Sequence, residues 1–327
     1  MVMASLVDQH GRVVRDLRIS ITPRCNFNCV YCHPLAAHFH EPAGTLTLED
    51  VQHVLEAAVS LGMSSVRFTG GEPLLRRDLA QMVSYARELG VEDVSITTNA
   101  TLLERRLPEL VGAGLTRVNI SLDAVSRDAF RELTKTDKID TVWRGIDALF
   151  AARLEPVKLN AVVIRGVNDS EITALAELTR DKPLHMRFIE YMHLNNADSD
   201  DYQRDFFSGA ETKARIEDAF GQLEPVPTDP SAPARLFKIP DWSGCIGFIN
   251  PISEPFCGAC SRMRVTSDAR IRPCLLTDRE LDARAALTSP DPIKALQDVF
   301  LVAAHRKVAS GVTAPVERPR TMLSIGG

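Results

Sequence analysis

The chain has 327 residues, of which 45% are hydrophobic and 25% charged, the profile of an ordinary globular protein large enough for a barrel-sized unit plus a smaller one. A formal net charge of −5 excludes global attraction to nucleic acid or anionic membrane, so any phosphate must be held by locally placed arginine and lysine. No apolar run approaches a membrane span, and "MVMASLVDQHGRVVRDLR" lacks the cationic start and apolar stretch of a secretory signal, so a cytoplasmic protein is expected.

Strand-like and helix-like segments alternate from residue 17 to about 192. "LRISIT" (17–22) is a β-branched run. "TLEDVQHVLEAAVSLG" (47–62) reads as a helix with Thr47 as N-cap, Asp50 three residues on and Gly62 as stop. "SVRFTG" (65–70) is a strand, followed by a helix near 78–89. "DVSITTN" (93–99), "RVNISLD" (117–123), "VKLNAVVI" (157–164) and "LHMRFIEYM" (184–192) are further strands. Helical patterns fall near 103–111, 126–150, 170–180 and 211–220. Six strand–helix units imply parallel pairing with right-handed crossovers. Polar or glycine-rich residues just past most strand ends favour a barrel, which builds its sites there. Six units would leave that barrel open at one side. "EPVPTDPSAPARLFKIP" is proline-rich and reads as a linker or surface crossing, and a last helix falls near 291–308. The expected division is residues 1–222 and 223–327.

Cysteine usage is clustered: Cys25, Cys29 and Cys32 in "CNFNCVYC", and Cys245, Cys257, Cys260 and Cys274 late in the chain. In a reducing compartment such groups are metal ligands or reactive thiols rather than disulfides. Three thiolates spaced C-x3-C-x2-C can each bind one iron of a cubane cluster, leaving the fourth iron open. A zinc site completed from afar, by His33 for instance, is the alternative. The second group, C-x2-C-x13-C, could be a zinc ribbon completed by Cys245, or another cluster with an open iron. Arg262 and Arg264 alternate, so an extended strand would turn both toward one anion, and the guanidinium fork matches phosphate.

C-x3-C-x2-C after a first strand, with Tyr31 before the last cysteine and "GGEP" (70–73) after the second strand, resembles the radical S-adenosylmethionine (SAM) superfamily. Gly70 and Gly71 suit close approach of a backbone to a ligand. The resemblance then extends over essentially the whole chain, through "VRFTGGEPLLRRDL", "SITTNA", "VNISLDA", "VKLNAVVI", "RFIEYM", "IGFINPIS" and the cysteine–arginine segment, to Gly326 and Gly327. It is similar to the GTP 3′,8-cyclase family of molybdenum cofactor biosynthesis.

That resemblance implies a partial (β/α)6 barrel of TIM type, closed by a C-terminal cluster-binding extension. It implies two [4Fe–4S] clusters, on Cys25, Cys29 and Cys32 and on Cys257, Cys260 and Cys274, with Cys245 incidental. Tyr31, Gly71, Ser121 and Met192 are implied to contact SAM. Arg18, Arg67, Thr98, Lys158, Arg262, Met263 and Arg264 are implied to contact GTP, with Arg262, Arg264, Gly326 and Gly327 nearest the chemistry, and Glu72 and Glu190 as orienting carboxylates. The implied reaction abstracts hydrogen from ribose C3′, which then attacks guanine C8. A flavodoxin- or ferredoxin-like electron donor, a downstream cyclic pyranopterin monophosphate synthase and a second copy of the chain are the implied partners. Pro23, Ser261 and the 193–200 loop depart from the family pattern. A peptide-modifying radical SAM maturase and a zinc-binding barrel protein are the rival readings; neither accounts for the arginines and both open triads together.

Overall fold

Alternating strands and helices occupy the first two-thirds of the chain in the computed structural model, which describes residues 5–32, 44–192, 194, 199–312 and 322–326. In order they are β1 (Asp16–Ser20), α1 (Leu48–Ser60), β2 (Ser65–Thr69), α2 (Leu79–Glu88), β3 (Asp93–Thr98), α3 (Leu103–Gly112), β4 (Arg117–Ser121), α4 (Arg127–Thr134), α5 (Ile139–Ala151), β5 (Val157–Val163), α6 (Ile172–Glu177), β6 (Leu184–Glu190), α7 (Ser199–Asp205) and α8 (Gly209–Phe220). Thr47 caps α1 as expected: its hydroxyl accepts from the Asp50 amide at 3.1 Å, and the Asp50 carboxylate accepts from the Thr47 amide at 2.8 Å. The helix expected over 126–150 is two helices. Lys135 takes a left-handed conformation at φ 58°, its amide closing on the Arg131 carbonyl, and this ends α4 before α5 begins.

Then come β7 (Glu224–Val226), β8 (Arg235–Lys238), β9 (Cys245–Ile249), β10 (Arg262–Val265), β11 (Arg270–Arg272), β12 (Leu281–Asp282), α9 (Arg284–Leu287), α10 (Pro292–His305) and α11 (Met322–Ile325). The strands form one twelve-stranded sheet in the order β12-β11-β10-β1-β2-β3-β4-β5-β6-β9-β8-β7. β10 runs parallel to β1 and β9 parallel to β6, so the parallel block gains one strand on each flank. The two end strands do not pair, and the sheet is not closed. The C-terminal segment therefore extends both edges of the six-strand block rather than sealing it by hydrogen bonding. The proline-rich stretch expected as a linker holds the antiparallel pair β7–β8. Pro225 is tolerated because β7 is the outermost strand, where one row of amides has no partner to lose.

Strand alternation separates two environments. Leu17, Ile19, Val66, Phe68, Val94, Ile96, Val118 and Ile120 are buried in the main apolar core. Truncating a side chain as enclosed as Phe68 to alanine would cost about 3–5 kcal/mol. The intervening residues on the other face are polar: Arg18, Arg67, Ser95, Asn119, Lys158 and Arg187. Parallel sheets are normally apolar on both faces, so a polar inner face marks a site. Outside, α10 packs on α1, with Gln297 donating to Ser60 Oγ at 2.7 Å. The N-terminal residues fold over the same end: Val7 bridges Val13, and buried Arg12, paired with Asp8, donates to the carbonyls of Cys257, Val308 and Ala309. Among the described residues, no helix is long and apolar enough to cross a membrane.

Candidate functional site

The inner face carries three features, beginning at the C-terminal ends of the strands. Cys25, Cys29 and Cys32 line a cavity of about 140 Å³ with Tyr31, Gly71 and Ser121. The "GGEP" turn packs directly on the residues before Cys25. The Gly71 amide donates to the Thr22 carbonyl at 2.7 Å and the Glu72 amide to the Arg24 carbonyl at 2.7 Å. A Cβ on Gly71 would lie 2.2 Å from the Arg24 carbonyl oxygen. Close packing of backbone on backbone is thus by itself a need for glycine here.

Glu72 is buried and accepts from the Leu74 amide at 3.0 Å, the Thr98 hydroxyl at 2.7 Å and the Asn99 amide at 2.8 Å. Burial lifts its pKa to about 7. Asn99 in turn reaches Cys25 Sγ at 3.9 Å. Tyr31 donates to Asp123 Oδ2 at 2.7 Å, while Asp123 Oδ1 accepts from the Val162 amide at 2.8 Å. Burial raises Asp123 to about 6. It also pushes Cys32 up to about 12, and Cys29 well up, helped by the charges of Asp123 and the other two thiols.

Toward the strand N-termini, the inner face holds a cavity of about 420 Å³. Register brings its cations together: Arg18 lies beside Arg264 on one side and Arg67 on the other. Lys158 and Arg187 continue the row around β5 and β6, with Arg117 on β4 facing the same cavity. Burial first, then mutual repulsion, depresses them: Arg18 well below its ordinary value, Arg67 to about 10, Arg187 to about 9 and Lys158 to about 7. Burial and the Lys158 and Arg187 charges hold His185 down near 4. The nearby carboxylates are engaged, Asp93 with Arg117, Asp229 with Arg15, and Asp16 with the hydroxyl of Ser261. The departure at Ser261 thus places a buried hydroxyl on a structural partner. Such a row suits a polyanion.

The third feature is the second cysteine group. Cys257, Cys260 and Cys274 line a cavity of about 80 Å³ with Arg262, Arg264 and Lys307. Arg262 also lines the large basic cavity, so its side chain joins the two. Burial would raise Cys260, but the charges of Lys307 and Arg262 prevail and pull it below the ordinary thiol range. Arg264 Nη1 donates to the Gly326 carbonyl at 2.6 Å, drawing the C-terminal segment into the sheet interior. Gly326 has φ +73°, and a Cβ there would stand 3.0 Å from side-chain carbons of both Ser20 and Thr69. Gly327 lies outside the described residues, as do 193 and 195–198 of the departing loop.

Three placements differ from the expected groupings. Met192 lines the second cysteine cavity, because β6 neighbours β9 and that strand leads directly to Pro251 and the cysteine loop. Thr98 lies in the first cysteine cavity, its hydroxyl held by Glu72. Met263 alternates away from Arg262 and Arg264 into the apolar core, leaving only its backbone to the site. Cys245 lies on β9 opposite His185, outside the second cavity's lining. Sequence reading missed Arg117, His185, Arg187 and Lys307. The first three share the strand alternation that singles out Lys158, a usable signal; Lys307 follows a helix end and has none. Glu190 is a structural tie: it accepts from the amides of Gly209 at 2.9 Å and of Ile252 and Ser253 at 3.0 Å.

The donor sets fit iron–sulfur clusters. No group of three or more metal-binding side chains among the described residues gathers around a single ion position. Each triad instead opens on a cavity, as a cluster needs when each cysteine binds a different iron. Inner-face polar atoms with no protein partner, Ser20 Oγ, Asn160 Oδ1 and Arg187 Nε, add unmet hydrogen-bonding capacity for a polar ligand.

A parallel sheet with a C-x3-C-x2-C triad at its strand ends and a glycine-rich turn beside it defines the radical SAM class. Residues 19–179 match the Radical SAM superfamily, and residues 184–311 match Molybdenum Cofactor Synthesis C. The fold is similar to that of Streptococcus suis SuiB bound to S-adenosylmethionine, with TM-score 0.58 and 16% identity, covering 90% of this chain and 67% of that one. The GTP 3′,8-cyclase of Thermodesulfovibrio yellowstonii is 38% identical over 98% of this chain and 99% of its own, and that of Moorella thermoacetica is 40% identical over 98% and 99%. The chain belongs to the GTP 3′,8-cyclase family.

Proposed function

We propose that this chain converts GTP to (8S)-3′,8-cyclo-7,8-dihydroguanosine 5′-triphosphate, the first step of molybdenum cofactor biosynthesis. One observation carries the proposal: Arg264, Arg18 and Arg67 lie side by side, with Lys158 and Arg187 further along the same inner face, on a sheet that also carries two open cysteine triads. A nucleoside triphosphate is a ligand that needs such charge neutralisation.

Cys25, Cys29 and Cys32 would hold the first [4Fe–4S] cluster, and Cys257, Cys260 and Cys274 the second. When bound, the first cluster and SAM together supply a hydrogen-abstracting radical. The chain's own residues bind, orient and seal. Tyr31, Gly71 and Ser121 line the SAM cavity, and the Tyr31–Asp123 hydrogen bond keeps the triad loop against β4. Arg18, Arg67 and Lys158 neutralise the triphosphate, with Arg187 and Arg117 beside them. Lys158, depressed to about 7, takes up a proton when the anion arrives. Arg262, Arg264 and the Met263 backbone hold the nucleoside end, where preorganised charge favours the developing transition state. Gly326 seats the tail beside Arg264 and helps exclude water. Thr98 and Met192 act at the boundaries of the neighbouring cavities. A flavodoxin- or ferredoxin-like donor, cyclic pyranopterin monophosphate synthase downstream, a homodimeric state and a cytoplasmic setting belong to the same reading.

The test is anaerobic reconstitution followed by dithionite, SAM and GTP. We expect about eight irons per chain, from two four-iron clusters, and 5′-deoxyadenosine formed with GTP and not with ATP. Stoichiometric zinc in either triad, or equal turnover with ATP, would overturn the proposal.

A further inference from the structure

Lys307 is 2% exposed, an unusual place for an ammonium group. Its Nζ donates to the Arg262 carbonyl at 2.8 Å, the Pro273 carbonyl at 2.7 Å and Cys260 Sγ at 3.5 Å. All three protons are thus spent on the loops that carry the second triad, since Pro273 directly precedes Cys274. No carboxylate among the described residues forms an ion pair with it. A buried charge without a counter-charge is costly, and the groups that offset it are the two carbonyls and the Cys260 sulfur. The cavity around it is small and largely apolar in lining, which leaves the charge weakly screened. The position is fixed from behind as well: the Lys307 carbonyl accepts from Gln9 Nε2 at 2.8 Å and lies 3.0 Å from His10 Nε2.

We infer that Lys307 is a positioning residue that sets the reduction potential of the second triad's cluster through its hydrogen bond to Cys260 Sγ. The inference rests on the reading that Cys257, Cys260 and Cys274 hold a cluster. Reduction by a low-potential donor adds one electron, and no bond to Lys307 forms or breaks. The fixed ammonium offsets the added negative charge and so makes the cluster easier to reduce. No comparable cation contacts a sulfur of the first triad among the described residues, where Cys25 Sγ meets the neutral groups of Asn26, Phe27 and Asn99.

The test isolates the second cluster by replacing Cys25, Cys29 and Cys32 together with alanine. The protein is reconstituted anaerobically, its iron counted, and its reduced-cluster paramagnetic signal titrated against potential. Lys307→Met, Lys307→Gln and Lys307→Arg are then compared in that background. Lys307→Met is expected to lower the midpoint by at least a tenfold change in the reduction equilibrium, about 59 mV for one electron. Lys307→Gln should fall between, and Lys307→Arg, which keeps the charge, should stay near the parent. An unchanged midpoint in Lys307→Met with iron retained overturns the inference. Equal shifts in the Met and Arg variants assign the effect to packing and also overturn it. So does loss of iron from Met and Gln alone, which would make the ammonium a clamp on the loops. Absence of iron from the parent background instead overturns the reading that the second triad binds a cluster, so the two failures are distinct.

Discussion

The two cysteine triads share a three-thiol plan and sit in opposite electrical surroundings. The first is flanked by Asp123 and Glu72, and burial with neighbouring negative charge raises its thiols. The second is flanked by Lys307 and Arg262, which draw Cys260 down. Negative charge is resisted at one end of the inner face and accommodated at the other. A cluster in the first setting is the stronger electron donor, and one in the second tolerates an anionic nucleotide beside it.

The largest test of this contrast removes a thiol from each side. Cys29→Ala is expected to abolish SAM cleavage and product together, whereas Cys260→Ala should abolish cyclised product while SAM cleavage persists. Each should lower iron from about eight to about four atoms per chain. Loss of SAM cleavage in both variants would erase the division of labour. Next, Arg18→Ala should weaken GTP binding by about 2 kcal/mol, roughly thirtyfold, the worth of a charge-assisted hydrogen bond. Calorimetry on the anaerobic protein reads it directly, and unaltered affinity would move the triphosphate elsewhere.

A smaller, pH-dependent effect concerns Lys158. Its pKa is about 7 in the free site, against an ordinary 10.5, and a bound polyanion returns it upward. Between those values the complex binds more protons than the free protein, so GTP affinity falls as pH rises, by about tenfold per unit at most. The same depression opposes folding while the group is protonated: the folded state gains relative stability from about pH 7 to 10.5 and loses it as pH falls back. Calorimetry near pH 8.5 in buffers of different ionisation enthalpy should show uptake of about one proton on GTP binding, absent in Lys158→Met. Proton-neutral binding by the parent would remove Lys158 from the site. The least effect is expected from Gly326→Ala, which costs about 1 kcal/mol for a left-handed residue. The seated tail should become roughly fivefold less populated, visible as faster hydrogen exchange at 322–326.

Much of this organisation was readable before any coordinates. Six strand–helix units follow from alternation, and the two arginines at 262 and 264 share a face because β10 is extended, as their spacing suggests. The edge pair β7–β8 was hidden because proline normally signals a linker and only the sheet order reveals an edge. The split between α4 and α5 turned on one left-handed lysine, Lys135, a residue type that carries no such signal. Arg187 was readable in "LHMRFIE" once alternation from Lys158 is followed across the neighbouring strand. Lys307 was not, since its meaning comes from segments 34 to 47 positions away in sequence.

The sheet order has a further consequence for taking the molecule apart. Residues 245–249 extend one flank of the six-strand block and residues 262–265 the other. A gene cut near residue 222 would therefore yield a fragment with both flanking edges bare and a second fragment in which β9 and β10 each lose one neighbouring strand. Exposed edges of that kind invite aggregation. Expressed together, however, the halves carry complementary edges at two separate places. Recovery of a folded complex from two co-expressed pieces, and from neither alone, is the behaviour this topology requires.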